Sequence, residues 1–228
     1  MNNMKRLIPP FIKSLIWKNY LIMKYHRYNS IGKRVKLSKD FYCDKECVIG
    51  NDVTIGREVR IGIGVKIGRN TFLEKVEIGN KSDIGSGVIC TGHGSGSIKI
   101  GDETYIGINN ILDWSDNITI GNYVHIAGPS TGLWTHTSAL MCINNIPLDH
   151  KFVKYRPTAP ITIERNVYIG GNCTVYPGVT VGHHSIVAPN SAVTKNVEPY
   201  TMVGGVPAMF IKKIDSLVWD HHSVQDIT

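Results

Sequence analysis

Long apolar runs are missing from this 228-residue chain. No stretch reaches the roughly 18–20 residues that a membrane-spanning helix needs, so no helical span is expected. Cysteine is sparse and odd in number, five (Cys43, Cys47, Cys90, Cys142, Cys173), and no secretory leader with a small-residue cleavage site is recognisable. Reduced thiols in a cytoplasmic compartment are therefore expected. Cys43 and Cys47 form a CxxxC pair, but no second Cys pair or nearby His completes a zinc set, and no metal site is expected. Charge is modest, 19% against 42% hydrophobic residues, which excludes an intrinsically disordered chain. The net charge of +7 suits an anionic ligand, a nucleic acid or an acidic membrane surface. Nucleic acid is disfavoured because the lysines are dispersed and lack interleaved aromatics.

Glycine, by contrast, is plentiful at 23 residues, and a repeat explains it. Between 163 and 197 an aliphatic residue returns every six positions: Ile163, Ile169, Val175, Val181, Val187, Val193. Val167, Cys173, Val179, Ser185 and Ser191 mark a second, smaller position at the same interval. A period of six fits neither a helix nor a two-sided strand. It fits a parallel β-helix whose coils stack aliphatic residue on aliphatic residue, with small residues at the turns. The same step runs from Val48 through Ile49, Ile55, Ile61 and Ile67. It slips at FLEKVE, is interrupted by TGHGSGS at 91–97, and disappears from 137 to 160. Three hexapeptides make one triangular coil, so these breaks should be corner loops rather than domain boundaries. A loop as long as 137–160 is uncommon unless it has a function.

Residues 4–28 read differently. Leu15, Ile16, Tyr20, Leu21, Ile22 and Met23 recur at roughly helical spacing, with Lys13, Lys18, Lys24 and Arg27 between them, and Pro9-Pro10 before them. The organisation expected is a helical cap over 1–40, then a β-helix over 41–228 with the inserted loop 137–160 and a C-terminal segment 198–228. The helix closes the open end of the solenoid. A second reading lays it on an anionic membrane as a peripheral contact.

The block from Pro160 to Ile214 resembles the last coils of the hexapeptide-repeat acyltransferases, within them the maltose/galactoside O-acetyltransferase branch and related enzymes of polysaccharide synthesis. The matching elements are NVYIGG at 166–171, PGVTVG at 177–182, SAVTKNV at 191–197 and GGVPAMFIKKI at 204–214. The resemblance implies a left-handed β-helix and a homotrimer with acetyl-CoA, the donor substrate, between neighbouring subunits. It also implies a His general base on the coil before the long loop, which by position is His136. In the donor groove it implies Tyr168, Gly170, Gly171, Thr194, Lys195, Lys212 and Lys213. Met209 stands where the family has a basic residue, which shifts phosphate binding toward the lysines.

Transfer of an acetyl group to a hydroxyl passes through a tetrahedral oxyanion, and the hydroxyl must lose its proton as it attacks. One imidazole near neutrality suffices, with no covalent intermediate. His136 lies in GLWTHTSA, where regular coil gives way to loop; His150 in the loop is its rival, and His93, His125, His183-His184 and His221-His222 read as exposed positions. For the acceptor, the family places polar residues on the preceding coil, which here offers Asn109, Asn110 and Asp113. Asp113 either meets a sugar hydroxyl, orients His136 or makes an Asx turn. Trp134 either stacks on a pyranose face or packs under the loop. The acceptor expected is a sugar or a nucleotide- or lipid-linked sugar. Transfer to an amino sugar or an antibiotic remains the close alternative. A γ-type carbonic anhydrase, which needs three His on one metal, and a non-catalytic β-helix are weaker ones.

Overall fold

The structure is a computed structural model and describes residues 25, 27–149, 151 and 155–215. The expected N-terminal helix falls almost wholly outside the described residues, as do His150, His221 and His222.

Each hexapeptide contributes a short strand whose aliphatic residue points inward, because burying it against identical neighbours above and below removes it from water at no cost in polar groups. The first coil is β1 (Ser30–Ile31), β2 (Lys36–Leu37) and β3 (Tyr42–Cys43), and the next begins at β4 (Val48–Ile49). Ile31 stands over Ile49, Ile49 over Ile67, and the column continues through Ile84, Ile106, Ile126, Ile169, Val187 and Val203. These side chains form one continuous core. The parallel strands line up in three faces of ten, eight and seven strands, a left-handed β-helix of hexapeptide repeats. The coil starts at Ser30, one turn before the start near Val48 that the sequence suggested, so the expected boundary at 40/41 falls inside the first coil. Leu37 and Cys43 hold inward positions there, and neither carries the Ile-Gly signature of the later coils.

Many of the corners turn through one residue in the left-handed region. Asp52, Asn70, Asn109, Asn172 and Asn190 do this at one corner, with φ between 55° and 61°. Asn and Asp are the non-glycine residues that accept this conformation most readily. The smaller inward positions carry hydroxyls that satisfy backbone groups of the next coil. Thr104 Oγ1 donates to the Gly121 carbonyl at 2.8 Å and accepts from Val124 N–H at 3.2 Å.

Every large irregularity falls at one corner, between the eight- and seven-stranded faces. The FLEKVE slip lies between β8 (Phe72–Leu73) and β9 (Val76–Ile78), and the glycine loop between β11 (Ile89–Thr91) and β12 (Ile98–Ile100). The long loop lies between β17 (Gly132–Leu133) and β18 (Ile161–Ile163) and, among its described residues, carries the short helix α1 (Ala139–Ile143), anchored by buried Met141. Excursions at a corner leave the stacked strands undisturbed. The last coil ends in an antiparallel hairpin of β24 (Thr201–Gly204) and β25 (Met209–Lys213), whose outer strand is exposed throughout.

Candidate active site

The loop-bearing corner gathers the polar groups. β14 (Ile111–Asp113) delivers Asp113 to this corner, and β17, one coil on, delivers Trp134, Thr135 and His136. His136 Nδ1 lies 2.6 Å from Asp113 Oδ2 and 3.1 Å from Ser115 Oγ. Asp113 is 1% exposed and His136 23%. The carboxylate is fully engaged by the protein: Oδ1 accepts from the Ser115 hydroxyl at 2.7 Å, and Oδ2 from Thr135 N–H at 2.9 Å and Thr135 Oγ1 at 3.0 Å. Burial alone pushes the Asp113 carboxyl up, but the bonds from Ser115 and His136 and the imidazole charge together hold it below the usual carboxylate value. An ionised carboxylate can only accept, so Nδ1 carries the proton and, in the neutral imidazole, Nε2 carries the free lone pair.

Two loops brace this pair. The glycine loop lies flat on the Ser115–Asp116 backbone: a Cβ on Gly94 would collide with the Ser115 carbonyl oxygen, and one on Gly96 with the Asp116 backbone. His93 N–H, between Gly92 and Gly94, donates to Ser115 Oγ at 3.1 Å. The long loop closes on itself at its base. Thr158 pairs antiparallel with His136, Ala159 N–H donates to the Thr135 carbonyl at 2.9 Å, and Thr158 Oγ1 donates to Asp116 Oδ2 at 3.0 Å.

The other expected site residues divide. Asn110 is fully buried; its amide donates to the Ala127 carbonyl at 3.1 Å and accepts from Thr131 N–H at 2.8 Å, so it closes a corner and cannot meet an acceptor. Asn109 is an exposed turn residue at that same corner, one strand away from His136. Asp113, expected at the acceptor, behind His136 or in an Asx turn, is buried behind His136 and also accepts from Ser115 N–H at 3.1 Å, the bond of an Asx turn. Trp134 is half-buried, with its indole folded over Gly132 so closely that a Cβ there would strike Nε1. Thr194 and Lys195 are exposed at the loop-bearing corner, two coils beyond His136. Lys195 and Lys213 line one cavity of about 270 Å³ together with Thr201, Met209 and Phe210, and Lys213 Nζ donates to Thr201 Oγ1 at 3.0 Å. Lys212 is exposed on β25. Tyr168 lies instead on the ten-stranded face, its ring centroid 5.4 Å from that of His125, and Gly170-Gly171 turn the corner after it. Within one subunit Tyr168 and the glycine pair therefore do not meet Lys195 or His136. Ser115, Thr135 and Thr158 had no signal of their own in the sequence, since hydroxyl and loop residues carry no period.

A hexapeptide-repeat β-helix with a carboxylate–imidazole pair at a loop-bearing corner is the class that fold and site define. Residues 160–195 match the family described as bacterial transferase hexapeptide (six repeats). Over 121 residues the chain is 32% identical to a galactoside O-acetyltransferase of Escherichia coli (strain K12), covering 52% of this chain and 55% of that protein. It is 29% identical over 161 residues to a putative lipopolysaccharide biosynthesis O-acetyl transferase, WbbJ, of the same organism, covering 58% of this chain and 80% of that one. The match thus spans little more than half the length of the galactoside enzyme. Among solved structures, AntD, an N-acyltransferase from Bacillus cereus in complex with dTDP and 3-hydroxybutyryl-CoA, shares the fold with a TM-score of 0.55 at 19% identity, covering 86% of this chain and 88% of that one. The resemblance to the hexapeptide-repeat acyltransferases, read from the last coils, agrees with the family match over 160–195 and with the alignment to the galactoside enzyme.

Proposed function

We propose that the protein is an acetyl-CoA-dependent acetyltransferase that moves an acetyl group onto a sugar hydroxyl, in the synthesis of a capsule, O-antigen or exopolysaccharide. The observation that carries this reading is the His136–Asp113 pair, which engages Nδ1 and leaves Nε2 uncommitted to the carboxylate, beside a loop that returns to the same point. The names of the aligned relatives, both O-acetyltransferases, support the reaction class.

In this reading His136 Nε2 takes the proton of the attacking hydroxyl as its oxygen bonds to the thioester carbonyl carbon. Asp113 holds the imidazole in the tautomer this requires and stabilises the imidazolium that forms. When the tetrahedral intermediate collapses, the carbon–sulfur bond breaks and the proton passes from His136 to the departing CoA thiolate. Lys195 and Lys213, which line one cavity toward the end of the coil, supply cations for the CoA phosphates. Tyr168, Gly170 and Gly171 lie on another face, and they serve the donor only if it is bound between two subunits; a homotrimer is therefore part of the proposal. Trp134 offers the apolar surface nearest the base for a pyranose ring.

The test incubates the protein with acetyl-CoA and a panel of free, nucleotide-linked and amino sugars, following thiol release and product mass. O-acetylated sugar from the wild type, and none from a folded His136→Ala protein, is the expected result. Acetylation at nitrogen alone would replace the hydroxyl acceptor, and undiminished transfer by His136→Ala would remove the mechanism.

A further inference from the structure

One buried hydroxyl joins the parts of the active-site corner. Thr135 is fully buried and stands directly before His136, on the coil that follows the one carrying Asp113. Its Oγ1 lies 2.6 Å from the Asp113 carbonyl oxygen and 3.0 Å from Asp113 Oδ2, and it accepts from Asp116 N–H at 2.9 Å. The hydroxyl therefore spans both ends of the turn from Asp113 to Asp116.

A threonine hydroxyl has a single proton to give. Oδ1 of Asp113 already accepts from Ser115 N–H at 3.1 Å and Ser115 Oγ at 2.7 Å. Oδ2 already accepts from Thr135 N–H at 2.9 Å and His136 Nδ1 at 2.6 Å. With the carboxylate's lone pairs filled, the Thr135 proton is directed chiefly to the carbonyl, which is also the nearer acceptor. The hydroxyl thus clamps the backbone from which the carboxylate is aimed, so that Oδ2 faces Nδ1 and Oδ1 faces Ser115.

The far end of the same turn anchors the long loop, since Asp116 Oδ2 accepts from Thr158 Oγ1 at 3.0 Å. Ala159 N–H donates to the Thr135 carbonyl at 2.9 Å, which ties Thr135 to that limb directly. Thr104 makes a comparable bridge at another corner, between Gly121 and Val124, where no imidazole is near it among its printed partners. What sets Thr135 apart is the group its bridge aims.

We propose that Thr135 is a positioning residue for the general base: its hydroxyl aims the Asp113 carboxylate at His136 Nδ1 and so holds the imidazole with Nε2 free. The effect on turnover rests on the acetyltransfer reading; the effect on the imidazole rests on the hydrogen bonds alone.

The experiment compares the wild type with Thr135→Val, which keeps the side-chain shape without the hydroxyl, and Thr135→Ser, which keeps the hydroxyl. Nuclear magnetic resonance of protein with nitrogen-labelled histidine reads the His136 tautomer, the signal being identified by its absence from His136→Ala. The wild type and Thr135→Ser are expected to hold the Nδ1-protonated form, and Thr135→Val a mixture of the two tautomers. In turnover Thr135→Val should lose about tenfold in kcat, the value of one hydrogen bond, with the KM for acetyl-CoA unchanged, and Thr135→Ser should recover it. A bridge of purely structural value would lower Tm and leave both tautomer and kcat as in the wild type, and that result overturns the proposal. Amide exchange of the wild type tests the bridge without any variant: Asp116 N–H, donated to a buried hydroxyl, should be protected, and exchange at the rate of a free amide would also overturn it. A tautomer change in Thr135→Val from a protein that transfers no acetyl group would remove the reaction assignment and support the positioning role.

Discussion

Asp113 Oδ2 and His136 Nδ1 stand 2.6 Å apart across two neighbouring coils, and the carboxylate is the more deeply buried of the two. The pair is 23 residues apart in sequence. It exists because β14 and β17 are adjacent in the eight-stranded face, with Leu112 directly over Leu133.

Replacing either partner should separate chemistry from binding. His136→Ala is expected to lower kcat by about 10²–10⁴-fold, the usual contribution of a positioned general base. Asp113→Asn should approach that loss, because an amide no longer selects the Nδ1–H tautomer. Steady-state kinetics with acetyl-CoA binding measured in parallel would check this; a loss of donor affinity in place of kcat would contradict the assignment.

Asp113 also makes stability depend on pH. Its carboxyl is held below the ordinary value in the folded chain. A depressed folded value means that the ionised carboxylate contributes stability above the unfolded value near 4, and that this contribution is lost as pH falls through the folded value. Thermal unfolding from pH 7 down to pH 3 should show the wild type losing Tm more steeply below about pH 4 than Asp113→Asn. Parallel curves would show that the buried carboxylate is not ionised.

The glycine loop should act on the active site through Ser115. Gly94→Ala would push a methyl group into the Ser115 carbonyl oxygen, at a cost of about 1–3 kcal/mol for an overpacked site. Both Tm and kcat should fall. Ser95→Ala, at an exposed position of the same loop, should change neither; equal effects of the two substitutions would detach the loop from the chemistry.

The Lys195–Lys213 cavity can be tested through salt. Exchange of both lysines for Ala should raise the KM for acetyl-CoA about tenfold or more with little change in kcat, the pattern of lost ground-state binding. Raising the ionic strength should weaken wild-type binding and shrink the difference, because exposed charges are screened. A kcat effect with unchanged KM would place these lysines elsewhere in the reaction.

The β-helix could be read from the chain because a six-residue period with aliphatic residues has one way to bury them all. The family resemblance pointed to His136 by its position on the coil before the long loop, and the structure sets that imidazole against Asp113. The reading of the sequence placed Asn110 wrongly, because INNILDWSD spans a whole strand: its Asn pair turns one corner and its Asp residues the next, and no local pattern says which corner faces the base. It started the coil one turn late because Leu37 and Cys43 fill inward positions without the Ile-Gly mark.

The sequence by itself determined the repeat, the inward residues and the positions of the three loops, all of which follow from spacing along one chain. The tertiary structure decided that the three loops share a corner and that Asp113 lies behind His136. These depend on which residue of one coil lies over which residue of the next. That register is set by the stacking of inward residues from coil to coil, as Leu112 on Leu133, and the loops between the strands do not disturb it.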